Sequence, residues 1–183
     1  KQVNATPKKV QIDILNDSRR NDISFKVLNQ GATEMALSPS GKEIAFIIRG
    51  EIFVTSVDHE VTKRITNTPG QERSISFSPD GKSLLYAGER NGSWNVYQTS
   101  LTRKAEPFFY RSTVLEEKAI IETLKDEFQP RYSPDGKEVA YLENRVTLKV
   151  KNLASDNVRL ILDSTYNYSY SDGDQWYEWS PDG

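Results

Sequence analysis

The chain contains no cysteine, and only one histidine and one methionine, in 183 residues. Without cysteine there is neither a disulfide framework nor a thiolate metal site, and the redox compartment is left undecided. The single histidine, His59 in "SVDHEVTKR", leaves little for hydrolytic chemistry, because a triad needs a nucleophile beside a base that a third group holds. A "GxSxG" elbow, an HExxH pair and a phosphate-binding glycine loop are all missing. No run of about 18 apolar residues occurs, so no membrane-spanning helix is expected. Long basic runs are lacking too, and a net charge of −2 with pI near 5.6 argues against a nucleic-acid partner. Mean hydropathy is low, at −0.66, yet this length with 36% hydrophobic residues is enough for a sizeable core. No stretch shows a helical period, which leaves β-structure.

What is present is a repeat. "SPDGK" stands at Ser78–Lys82 and Ser133–Lys137, "SPSGK" at Ser38–Lys42, and "SPDG" at Ser180–Gly183. The serines are separated by 40, 55 and 47 residues. Periods of roughly 40–50 belong to stacked supersecondary units, propeller blades among them. The motif is turn chemistry: proline presets φ, Asp or Ser bonds the neighbouring backbone, and glycine accepts a left-handed conformation. A three-residue hairpin loop, a type I turn closed by a glycine bulge, is the expected form. Ser38, Pro39 and Gly41, then Ser78, Pro79, Asp80 and Gly81, then Ser133, Pro134, Asp135 and Gly136 are therefore read as structural turn residues. Asp182 joins Asp80 and Asp135 in that reading, which prefers a hairpin to a ligand site.

The flanking residues complete a four-strand unit. "EMAL" (34–37), "SISF" (74–77), "QPRY" (129–132) and "WYEW" (176–179) precede the turns. "EIAFII" (43–48), "SLLYAG" (83–88) and "EVAYLE" (138–143) follow the first three, as short runs suited to well-buried strands. A third set, "IFVTSV" (52–57), "VYQTSL" (96–101) and "LKVKNL" (148–153), alternates with Ile52, Val54, Val96, Leu148 and Val150 on one face. Outer strands are expected at 61–66, 118–123 and 157–162. Four strands per repeat make a propeller blade.

The fold expected is thus all-β: a partial β-propeller of about three four-stranded blades and the first strand of another. Residues 1–31 are read as a linker and entering outer strand, 32–72 as a blade, and 73–128 as a blade with an insert at 103–126. Residues 129–175 form a blade with a long exit loop, and 176–183 begin a truncated one. An unfinished blade exposes unpaired strand edges, so a segment of a longer protein that self-associates when isolated is expected.

The order of a large apolar residue, SPDGK, an "IAY"-like strand and a closing "LT"-like end resembles the blades of TolB-type propellers, which also occur in tricorn-type peptidases. "RKAEPFFYRSTVLEEKAIIET" (103–123) and "YNYSYSDGDQWYEWSPDG" (166–183) look most like segments of bacterial tricorn-like serine peptidases, and "VQIDILNDSRRNDISFKVLN" (10–29) resembles the passage into their second propeller. That resemblance implies a non-catalytic segment that helps bind or steer peptide substrates toward peptidase domains later in the parent chain. The alternative is a TolB-like protein-interaction scaffold with no peptidase domain. Either way the expected partners are the remaining blades and domains of the parent and a peptide or protein ligand. No cofactor, no metal and no catalytic residue is expected here. The resemblance implies the periplasm, with the cytoplasm as the alternative.

Two places are candidates for ligand or domain contact. Tyr166, Tyr168 and Tyr170 lie in a long interblade loop, where aromatics commonly meet ligands. Phe108, Phe109 and Tyr110 form an apolar stretch in the insert, expected as a protruding hairpin packed on itself or as a dock for another domain. "SDGDQ" (171–175) superficially resembles a calcium loop, but the spacing of the full loop is missing and a solvated turn is preferred.

Overall fold

The computed structural model describes residues 27, 29–166 and 176–183. The expected entering strand at 10–29 falls almost wholly outside them. Among the described residues, twelve strands group into three antiparallel sheets of four, each a simple meander. The first contains β1 (Ala32–Leu37), β2 (Glu43–Ile48), β3 (Glu51–Ser56) and β4 (Thr62–Arg64). The second contains β5 (Glu72–Phe77), β6 (Ser83–Arg90), β7 (Ser93–Leu101) and β8 (Leu115–Ile121). The third contains β9 (Glu127–Tyr132), β10 (Glu138–Glu143), β11 (Thr147–Asn152) and β12 (Val158–Leu162). These are three blades of a propeller. β5 and β9 start one and two residues before the boundaries set by the sequence grouping.

The blades pack face to face through two apolar clusters. One joins Ala45, Ile47, Ile52 and Val54 of the first blade to Leu84 and Tyr86 of the second. The other joins Leu85 and Val96 of the second to Val139 and Tyr141 of the third. Alternate residues of β6 thus serve opposite neighbours, which is why "LLYA" is apolar throughout: both faces of the middle blade are covered. Burying each such leucine contributes about 1.5–3 kcal/mol.

The repeat turns share one geometry. Gly41, Gly81 and Gly136 donate their N–H to the carbonyls of Ser38, Ser78 and Ser133, each at 2.9 Å, and adopt φ of +69°, +70° and +72°. The serine Oγ accepts the N–H of Glu43, Ser83 or Glu138 at 2.9–3.0 Å. Ser78 and Ser133 in turn donate to Asp80 and Asp135 at 2.6 and 2.7 Å. The loop is one residue longer than expected. Four residues, such as Pro39–Lys42, separate the paired Ser38 and Glu43, because the serine side chain replaces its carbonyl as acceptor in the ladder. Successive turns also touch: Pro39 lies 3.6 Å from where a Cβ on Gly81 would stand, and Pro79 lies 3.4 Å from the same point on Gly136.

Two further expectations are corrected. Trp176–Trp179 pairs with no strand among the described residues, since a ladder needs a partner that none of them supplies. The turn after it still closes, with the Gly183 N–H on the Ser180 carbonyl at 3.0 Å. The insert is not a hairpin packed on itself. Its 3-10 turn, Phe109–Arg111, crosses onto the first blade, where Phe109 (0% exposed) and Tyr110 (7%) enter the first cluster. The reason is apolar area: left outside, two rings would stay in water, whereas here Phe109 meets Phe77 edge-on at 6.0 Å. Glu43 accepts the Tyr110 N–H at 3.2 Å, and Lys63 Nζ donates to the Ser112 carbonyl, fastening the strap.

Candidate functional site

The innermost strands β1, β5 and β9, followed by Trp176–Trp179, line one open trough of about 960 Å³. Its polar wall comprises Glu34, Ser74, Ser76, Gln129, Arg131 and Glu178. These follow the repeat: Glu34, Ser74 and Gln129 each stand four residues before the turn serine, and Ser76, Arg131 and Glu178 stand two before it. Ser74 and Gln129 are bulge residues with φ of +59° and +50°, set where the β5–β6 and β9–β10 ladders shift register. A bulge turns backbone donors out of the ladder. At Ser74 the Glu34 carboxylate of the neighbouring blade takes them, accepting the N–H groups of Ser74 and Ile75 at 2.6 and 3.3 Å. At Gln129 the following residue is Pro130, which has no N–H to give. Instead the Gln129 carbonyl accepts from the Tyr177 hydroxyl, which also donates to the Ala140 carbonyl at 3.0 Å, while Trp179 Nε1 donates to the Arg131 carbonyl at 3.3 Å. Burial pushes the Tyr177 phenol well above its ordinary range. Ser76 Oγ and Gln129 Oε1 are buried with no hydrogen-bond partner among the described residues.

One end of the trough opens into a cleft of about 490 Å³ spanning all three blades. Each blade contributes one arginine to it: Arg49 from the β2–β3 turn, Arg73 from β5, and Arg145 from the β10–β11 turn. The Arg73 guanidinium lies over the Trp94 ring at 5.4 Å, Trp94 packs on Phe128 at 5.4 Å, and Arg145 covers Phe128 at 4.1 Å. Two carboxylates share the cleft. Glu34 is occupied by the backbone donors above, and buried Glu72 accepts from Thr66 and Thr68 at 3.0 and 2.8 Å and pairs with Arg90 at 2.9 Å. Burial raises the Glu72 pKa, against the lowering effect of Thr68, Thr66 and Arg90. Glu127 stands at the corresponding position of β9, accepts from Thr123, and is likewise raised by burial.

The residues singled out in the sequence lie elsewhere. Phe109 and Tyr110 are engaged inside the chain, and Phe108 is half-exposed, stacked on Tyr110 at 5.5 Å. Tyr166 is exposed (83%), while Tyr168, Tyr170 and the "SDGDQ" carboxylates lie outside the described residues. His59 is exposed in the β3–β4 turn, its N–H on Ser56 Oγ at 3.1 Å. Among the described residues no group of three or more His, Cys, Asp or Glu is placed to hold a metal ion, and no helix is long and apolar enough to cross a membrane.

Similarity to known proteins points one way. The Tol-Pal system protein TolB of Francisella tularensis is 28% identical over 141 residues, covering 74% of this chain and 29% of that protein. TolB of Bordetella pertussis is 41% identical over a shorter stretch of 39 residues, 21% of this chain and 9% of that one. The chain therefore spans less than a third of these relatives' length. Among solved structures, one assigned to TolB from Agrobacterium tumefaciens superposes with a TM-score of 0.58 at 18% identity, over 73% of this chain and 50% of that one. TolB from Acinetobacter baumannii gives 0.55 at 22% identity, over 70% and 31%. The curated relatives are TolB proteins rather than tricorn-like peptidases. The profile of the TolB β-propeller domain, PD40, matches residues 3–183, and on that match and the three meander blades the chain belongs to the TolB β-propeller domain family.

Proposed function

We propose that the chain is a non-catalytic, protein-binding scaffold whose ligand lies along the inner-strand trough. The observation that carries this reading is the trough itself: successive blades place Ser76, Arg131 and Glu178 at one repeat position on a common wall of mixed charge. A rigid β-scaffold with polar groups at fixed spacing holds a peptide or protein surface without reorganising. The Tol-Pal relatives supply the partner class to be tried first, and the periplasm is the compartment their resemblance implies. The test is calorimetric titration of the full-length protein with purified Tol and Pal proteins of the same organism. Binding that Arg131→Glu weakens supports the scaffold; no binding to any of them, with the fold intact, overturns it.

A second reading keeps the trough but places it in a tricorn-like peptidase, where it steers peptides to a catalytic domain. The insert at 103–126 favours it, since this segment carries the resemblance and also lengthens the second blade. Reading the gene beyond Gly183 decides between them: a serine-peptidase region supports this reading, and a stop after the last blade removes it.

A further inference from the structure

We infer that Asn91, at the tip of the second blade's central hairpin, is a site of spontaneous deamidation, and that its isoaspartyl product loosens the cleft at the end of the trough. The co-reactant is water.

The first ground is the neighbour. Asn91-Gly92 is the two-residue turn between the paired Arg90 and Ser93, and both of its residues are left-handed, with φ of +54° and +84°. Such a turn favours Asn-Gly, so the fold itself asks for this pair. The same pair is the reactive one. The Gly92 nitrogen has to reach the Asn91 amide carbon, and glycine brings neither a Cβ to block the approach nor a stiff backbone to resist it. A Cβ built on Gly92 meets nothing within 4 Å, so the space beside the bond is open.

The second ground is the freedom of the amide. Asn91 is exposed, and its side chain makes no hydrogen bond among the described residues. Other asparagines are held. Asn95 donates to Ser93 Oγ and accepts the Thr123 N–H, both at 3.0 Å. Asn144 accepts the Asp126 N–H at 3.3 Å, and Asn152 accepts those of Ala154 and Ser155 at 3.1 and 3.0 Å. Asn29, Asn67 and Asn157 precede Gln30, Thr68 and Val158, whose side chains crowd the attacking nitrogen. Among the described asparagines, a free amide and a following glycine coincide at Asn91 alone.

The reaction balances with water in and ammonia out. The Gly92 nitrogen gives its proton to solvent and bonds to Asn91 Cγ; the Cγ–Nδ2 bond breaks, and ammonia leaves with a proton from solvent. Water then opens the cyclic imide at either carbonyl. One opening gives aspartate, and the other gives isoaspartate, whose main chain is longer by one methylene. The lengthened chain no longer fits a two-residue turn, so the pairing of Arg90 with Ser93 is lost. Arg90 reaches inward from the tip: it pairs with buried Glu72 at 2.9 Å and lies over the Tyr97 ring at 4.8 Å. Glu72 lines the cleft, so a change at the tip reaches it through one side chain.

The full-length protein is incubated at mildly alkaline and at mildly acidic pH, and its fragments are followed by mass spectrometry. Isoaspartate is counted by methyl transfer from S-adenosylmethionine with an isoaspartyl methyltransferase. We expect the fragment holding Asn91 to gain about 1 Da before that of any other described asparagine, faster at alkaline pH, and to accept methyl groups. Asn91→Gly keeps a residue pair that the turn favours, so it should fold, lose both signals and hold its thermal midpoint during incubation while that of the parent falls. Asn91→Asp, which adds the charge without lengthening the chain, should also hold its midpoint. Earlier reaction at another described asparagine overturns the inference, as does a folded chain that stays unchanged while the urea-unfolded chain reacts. Conversion of Asn91 with no fall in the midpoint overturns the link to Arg90 and Glu72.

Discussion

Replacing Phe109 by alanine tests whether the insert is a strap across two blades. The ring is fully buried, meets Phe77 at 6.0 Å, and sits in the cluster that includes Ile52 and Val54 of the first blade. Truncation leaves a cavity between elements whose strands cannot close over it, so the cost falls in the range of about 3–5 kcal/mol. For a domain of this size each kcal/mol moves Tm by roughly 2–4 °C, so a fall of about 6–20 °C is expected. Phe108→Ala is the matched control. That ring is half-exposed and lies under Lys42 and Arg111 at 5.8 and 5.2 Å, so its loss should cost about 1 kcal/mol or less. Urea denaturation gives the global term, and hydrogen exchange at the Tyr110 amide, which is bonded to Glu43, reports the strap itself. If Phe109→Ala stays within about 1 kcal/mol of the parent and Tyr110 keeps its protection, the packing argument fails.

Three further substitutions probe other parts of the design. The Glu127 pKa is raised above the ordinary carboxylate value of 4.5, first by burial and then by Glu143 and Asp126, so the folded chain holds that proton to higher pH than the unfolded chain does. Its contribution is therefore full below the unfolded value and lost as pH rises through the folded one; Glu127→Gln should gain on the parent from pH 4.5 upward, and a difference in urea midpoint that does not change with pH would refute this. Gly136→Ala forces a side chain into φ +72° and brings Cβ to 3.4 Å from Pro79, whereas Gly41→Ala at φ +69° meets nothing within 4 Å. Both should lose about 1–2 kcal/mol on thermal melting, with Gly136→Ala at least as costly; a neutral Gly136→Ala would count against the turn account.

The blades were legible in the sequence because one signal repeats. Turn residues at Ser38, Ser78 and Ser133 fix the register, and the runs around them are long enough to decide strand over helix. The trough wall was legible in principle, since Ser76, Arg131 and Glu178 share a repeat position, but nothing in one dimension says that this position faces inward. The arginine cleft was not legible at all. Arg49, Arg73 and Arg145 stand 11 after, 5 before and 12 after their turn serines, so no repeat register unites them and only the ring arrangement does. The strap was half visible. "PFFY" announced an apolar patch in need of cover, yet the cover is Ile52 and Val54, in a different blade about fifty residues earlier, and pairwise packing across blades leaves no periodic trace.

The contact of Pro39 with Gly81, repeated by Pro79 with Gly136, has a consequence for how such a chain can change over generations. Each turn is a seat for the turn before it, with space between proline and glycine for about one methyl group. A whole blade inserted or removed at a turn boundary leaves every seat filled, because proline meets glycine at each new junction as at the old ones. A single substitution at one of these glycines strains its own turn through the left-handed φ and also brings a side chain up to the neighbouring blade. Gain and loss of blades is thus an easier step for this architecture than drift within its turns, and the part that must be inherited intact is the join between units.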